Sequence, residues 1–186
     1  MNRAEHLLLY GNNLWCFGEG MLGPLFAIFT ERIGGTVLDI TWAYATYLFI
    51  MGFLMMYVGK VSDGKYSKEL IMVVGFALNA LFTFGYLFVH SIGSLLFVQI
   101  GLGIAAALAT PTWEALYSAH VDKKRQGTVW GIVSGEQRII TGLAILIGGA
   151  IISSFSFTGL FVVMGFVQII ATLYQGRILF LNRKKA

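Results

Sequence analysis

Six apolar runs divide this chain, and each is long enough to cross the hydrocarbon of a bilayer. They cover residues 7–29, 40–58, 70–89, 95–118, 129–155 and 160–181. A helix rises 1.5 Å per residue, so about 20 apolar residues span roughly 30 Å of hydrocarbon. The residues between the runs are few. Gly34, Gly35 and Asp39 mark the first connection, His90 to Gly93 the third, and Ser153 to Gly159 the fifth. The chain is 57% hydrophobic and 12% charged, with a mean hydropathy of +0.76. Soluble domains carry about 25% charged residues, so lipid must cover much of this surface. The pattern predicts an all-α integral membrane protein, a bundle of six transmembrane helices in one domain over residues 1–186. The first run is too long for a secretory signal, and Thr30-Glu31-Arg32 follows it rather than a small-residue cleavage site.

Basic residues set the expected orientation. Of thirteen Lys and Arg, eleven fall on one side: Arg3, Lys60, Lys65, Lys68, Lys123, Lys124, Arg125, Arg177, Arg183, Lys184 and Lys185. Arg32 is in a loop on the other side, and Arg138 is inside span 5. The positive-inside bias predicts both termini on the cytoplasmic side, in a plasma or inner membrane. It also accounts for the net charge of +4 without nucleic acid.

The chain has two prolines. Pro24 lies deep in span 1 beyond Gly18, Gly20 and Gly23. Pro111 lies at a similar place in span 4 beyond Ala105 to Ala107 and Ala109. Spans 1 and 4 run in opposite directions, and matching interruptions in such a pair are what an inverted repeat produces. The expected repeats are about 7–89 and 95–181. In span 5, Gly127, Gly131 and Gly135 share one face. Such a face admits another helix at close range. Packing inside the bundle is the first expectation for it, a dimer contact the second.

Ionisable groups inside the spans are the candidate site. A charge near the bilayer centre costs about 2.5–3.5 kcal/mol on insertion scales, so it calls for a protein partner or a wet cavity. Glu19 lies about 18 Å into span 1, and Glu136 and Arg138 about 11–14 Å into span 5. Glu136 and Arg138 point about 200° apart, so at least one needs a partner elsewhere. Glu19 and Arg138, at similar depth, are the expected pair. Asn12, Trp15 and Glu19 follow three- and four-residue spacing and form an expected cavity lining, near Asn13. A carboxylate whose protonation depends on being paired is a physical basis for proton coupling. Glu114, shallower, is expected at the cytoplasmic mouth of span 4, within snorkelling reach of water. Trp42, Trp113 and Trp130 lie near span ends and read as interfacial residues. Cys16 stands alone, so no internal disulfide forms, and no Cys/His cluster or catalytic constellation is present. No metal or cofactor is expected. The Gly101-Leu-Gly103 stretch is inside a span and is not a nucleotide loop.

Between spans 2 and 3 the sequence reads Gly59-Lys-Val-Ser-Asp63-Gly-Lys65-Tyr-Ser-Lys68. This resembles the signature loop of the major facilitator superfamily, in sequence and in placement. Gly59 and Asp63 match, and Lys68 matches in kind. Gly64 stands where a basic residue is usual and Tyr66 where glycine is usual. The stretch from Pro111 through Lys123-Lys124-Arg125 into glycine-rich span 5 resembles the family's helix 4–5 junction. The resemblance implies a secondary transporter of a small solute, working by alternating access between two six-helix bundles. It implies a conformational role for Gly59 and Asp63, with Lys65 and Lys68 beside them. Family members usually have twelve spans. The Met1 start and the polar end suit either a half-size protein acting as a parallel homodimer or the amino-terminal half of a longer one. A non-transporting membrane subunit packing against a different partner is the alternative.

Overall fold

The structure, a computed structural model, describes residues 3–64 and 66–182. It is helical throughout. In chain order the helices are α1 (Arg3–Gly20), α2 (Leu25–Arg32), α3 (Val37–Ser62), α4 (Lys68–Gly85), α5 (Ile92–His120), α6 (Gln126–Ser154), α7 (Phe157–Gly176) and α8 (Ile178–Asn182). Among the described residues, five helical stretches are long and apolar enough to cross a membrane: α3, α5, α6, α4 with a short turn beyond it, and α7 with α8.

The first apolar run is not one of those five because it is broken. Residues 21–24 form a turn between α1 and α2. Pro24 has no N–H to give Gly20, and its ring crowds that carbonyl. The chain recovers through Leu22 N–H to Glu19 O at 3.3 Å and Phe26 N–H to Leu22 O at 3.1 Å. Pro111, by contrast, sits inside an unbroken α5. The expected matching interruptions are therefore not alike. The difference follows from the neighbours. Glycine costs about 1 kcal/mol against alanine in a helix, so Gly18, Gly20 and Gly23 weaken what Pro24 must break. Ala105 to Ala107 and Ala109 do the reverse around Pro111. Thr112 also donates to Leu108 O at 2.6 Å and Ala109 O at 3.0 Å, bracing that turn.

Polar caps set the helix starts. Thr36 and Asp39 form a reciprocal capping box at α3, and Ser91 with Ser94 forms one at α5. Ser67 and Ser156 cap α4 and α7. Each satisfies a backbone N–H that the helix leaves open. Gly34, with φ of 87°, closes α2 in a conformation that favours glycine.

The bundle is unevenly buried. More than half of the membrane-crossing part of α5 is covered (56%), against 6% for α3 and 11% for α6. α5 packs on α3 and α4, α1 packs on α6 and α7, and α4 meets α7. Two apolar clusters fill the interior. One, nearer the termini, joins Leu8, Trp15, Phe76, Trp113 and Tyr117. The other, at the opposite end, is aromatic: Phe29 meets Tyr86, Phe157 and Phe161 at 4.8–6.0 Å. Trp42 is exposed as an interfacial residue would be, but Trp113 is buried and donates to Leu8 O at 2.8 Å. It stacks on Tyr117 at 5.1 Å and meets Trp130 edge-on at 6.3 Å. Its indole is thus a core cross-link between α5 and α1, not a belt residue.

Candidate transport site

The polar residues of α1 divide between two neighbours. The Trp15 ring is buried edge-on against Phe76 of α4, with centroids 4.6 Å apart, and its side chain hydrogen-bonds Glu19 one turn on. Asn12 stays on its own helix, its amide 3.8 Å from Cys16 Sγ. Asn13 reaches α6, donating from Nδ2 to Glu136 Oε2 at 3.2 Å. The expected lining of Asn12, Trp15 and Glu19 is therefore split. Trp15 is core on one side and a donor to Glu19 on the other. Asn13 makes the cross-helix contact.

Glu19 occupies the last turn of α1, half-buried, one residue before the helix ends. A helix C-terminus carries partial negative charge, so a bare carboxylate is poorly placed there. The expected Glu19–Arg138 ion pair does not form. The reason lies in the helical phase of α6. Its buried residues are Val133, Ala144 and Gly148. Arg138 lies about 140° round the helix from Val133, and Glu136 only about 60°. Glu136 accordingly meets α1, while Arg138 is exposed. Arg138 has no carboxylate partner among the described residues. Glu114 is exposed on α5 and likewise has no hydrogen-bond partner among the described residues.

Behind this site, α1 and α7 are locked by a pattern not foreseen from the sequence. A side chain at Gly11 would fall on the Gln175 amide, and one at Gly18 would lie 2.5 Å from Gln168 Nε2. Both pairs are seven residues apart, two turns on each helix. Gln168 donates to Trp15 O at 3.1 Å, and Gln175 contacts Met72 Sδ at 3.3 Å. Both glutamines are essentially fully buried, and each keeps an Oε1 without a partner. Buried Asn79 of α4 leaves both polar atoms unpaired. The matching intervals of Gly11/Gly18 and Gln168/Gln175 are the signal that the sequence held.

The α6 glycines correct another expectation. Gly148 packs directly on the Met21 backbone at the α1 break, but a Cβ added at Gly127, Gly131, Gly135 or Gly142 would meet nothing within 4 Å beyond its own helix. The regular glycine face is therefore bare in this chain, not packed inside the bundle. On α3, Gly52 and Gly59 are equally open. At the signature loop, Asp63 ends α3 and accepts from Lys68 Nζ at 2.8 Å. Asp63 is 76% exposed, so the pair is held in water and is worth about 0–1 kcal/mol. Lys65 lies outside the described residues. No group of three or more metal-ligating side chains occurs among the described residues.

A broken first helix, a carboxylate at the break and, between α3 and α4, a loop that resembles the major facilitator signature mark this as a membrane-helix bundle of that kind. The sequence model of the Major Facilitator Superfamily matches residues 8–186, and the chain belongs to that family. It is 28% identical over 156 residues to an uncharacterized MFS-type transporter, MJ1560, of Methanocaldococcus jannaschii, covering 84% of this chain and 40% of that protein. It is 26% identical over 152 residues to the MFS-type transporter YuxJ of Bacillus subtilis, covering 79% and 38%. It is 25% identical over 154 residues to YvkA of the same organism, covering 83% and 34%. The chain thus spans about two fifths or less of the length of these relatives.

Proposed function

We propose that this chain is a six-span half of a secondary transporter and works by alternating access against a second six-helix unit. The observation that carries this is the bareness of α3 and α6. Both are apolar enough to cross a membrane, yet 6% and 11% of them are covered. Gly52 and Gly59 of α3, and Gly127, Gly131, Gly135 and Gly142 of α6, face open space. Membrane helices associate through such small residues, where backbones approach closely. Lys68 can release Asp63 to a partner's helix end at small cost. The second unit is a parallel second copy, and the matching half of a longer chain is the other source.

The reading takes the broken α1–α2 run as the sixth span, with both termini cytoplasmic. The helix contacts support inverted repeats of about 7–89 and 95–181. Exchanging α1 with α5, α3 with α6 and α4 with α7 maps the packing pattern onto itself. The cavity lies between α1 and α5, and Glu19, Asn12, Arg138 and the Asn13–Glu136 pair serve a small solute or a proton. Trp15 orients Glu19, and Glu114 stands at the mouth. The test is the mass of the purified chain in mild detergent and in lipid nanodiscs, followed by solute uptake into proteoliposomes. Two copies with uptake are expected. A stable single copy without uptake overturns the half-size reading.

A further inference from the structure

A second polar site lies where α1 begins and α7 ends. There Arg3, His6, Tyr174 and Arg177 line a cavity of about 390 Å³. Its remaining walls are Leu7, Phe180 and Leu181. Neither arginine has a carboxylate partner among the described residues. Arg177 lies over the Tyr174 ring, 5.3 Å from its centroid, and His6 stacks on Tyr10 at 5.9 Å. These ring contacts hold two of the basic groups in place without neutralising them. The first turn of α1 adds the positive end of an 18-residue helix, with Glu5 as the acidic residue in that turn but outside the cavity lining. An anion is what such a site lacks.

We propose that this cavity binds the phosphate headgroup of an anionic phospholipid, with its acyl chain along Leu7, Phe180 and Leu181. Two arginines offer planar, multidentate donors suited to phosphate. Basic pockets between membrane helices on the cytoplasmic side recognise such headgroups. The cavity is of small-molecule size, much larger than a free phosphate requires. Its apolar wall continues along helices that cross lipid. The site ties the start of span 1 to the end of span 6, so a bound lipid would bridge the two ends of the six-helix unit.

The experiment uses the full chain in nanodiscs of phosphatidylcholine with a minority of phosphatidylglycerol. Lipid retained after extraction is read by native mass spectrometry. The wild type is expected to retain phosphatidylglycerol over phosphatidylcholine. Arg3→Ala with Arg177→Ala is expected to lower that retention by about twenty-five-fold, roughly five-fold per basic group. Lys60→Ala with Lys124→Ala removes two charges from the same membrane face outside the cavity, and retention should hold. Added inorganic phosphate should not displace the lipid. Circular dichroism and elution volume confirm that each variant folds. A Lys-to-Ala pair that loses as much retention as the Arg-to-Ala pair overturns the proposal, as general surface attraction. Displacement by phosphate alone overturns it in favour of a free-anion site. Equal retention by the wild type and the Arg-to-Ala pair overturns it outright.

Discussion

Glu19 carries the highest electrostatic cost of any side chain in the site. It lies at mid-depth, where an isolated charge costs about 2.5–3.5 kcal/mol. It also sits at the negative end of α1, and its one side-chain donor is Trp15. A proton or a cationic group is the natural neutralising partner. Glu19→Gln keeps the shape and a hydrogen bond to Trp15 but removes the charge. Uptake by the reconstituted variant is expected to lose its dependence on a pH gradient while the chain stays folded. Unchanged gradient-driven uptake would remove Glu19 from the coupling role. A second residue-scale outcome concerns Gly18. A valine there meets Gln168 amide atoms at 2.5–2.9 Å, and overpacking of this kind costs about 1–3 kcal/mol. Thermal unfolding in detergent should show that loss, and Gly52→Val, in open space, should not. That Trp15 and Glu19 share a face of α1 was legible because spacing along a helix is fixed. The partner of Glu136 was not, because Asn12 and Asn13 differ by 100° of helical phase and only the neighbouring helices decide which one is used. Spacing put Asn12 in the expected cavity lining, and the structure uses Asn13 for the contact to Glu136.

At the scale of elements, α6 shows how one helix serves two surfaces. Its spacing announced a glycine face, yet spacing is silent on what the face meets. Gly148 carries the contact inside the chain, against the Met21 backbone at the α1 break. Gly131 and Gly135 look outward. Gly148→Leu must push α6 off α1 and is expected to destabilise the isolated bundle by several kcal/mol, at or beyond the roughly 1–3 kcal/mol of ordinary overpacking. Gly131→Leu adds an apolar side chain to an open surface. It should leave unfolding unchanged and weaken association with the second unit. Paired thermal unfolding and sedimentation measurements separate the two. Equal destabilisation by both variants would mean that the outward glycine face is packed after all. Proline carried a similar ambiguity. Both prolines were visible, but whether each broke its helix depended on the residues around it. The glycines before Pro24 and the alanines before Pro111 held that difference, had helix propensity been weighed beside position.

For the whole molecule, the bare faces of α3 and α6 are where the proposed second unit would dock. α3 rests on α5 and α6 rests on α1, and both leave most of their surface uncovered. In the proposed parallel pair, a twofold axis along the membrane normal carries one copy onto the other and brings unlike bare helices together. It sets α3 of one copy against α6 of its partner, and the same contact recurs by symmetry. This geometry gives a sharper expectation than dimerisation alone. With Cys16→Ser as background, chains bearing Gly52→Cys on α3 are mixed with chains bearing Gly135→Cys or Gly142→Cys on α6. Oxidation should cross-link the mixture and leave each population alone largely uncoupled. On the proposed alternating-access mechanism, such a cross-link should also arrest uptake, because the two halves would rock against each other at this seam. Self-adducts from the α3 cysteine alone would place like edges together and exclude that axis. No adducts in any combination, with a single copy in lipid, would leave α3 and α6 to the matching half of a longer chain. The same cysteine pair, placed in that longer chain, would then test the seam between its halves.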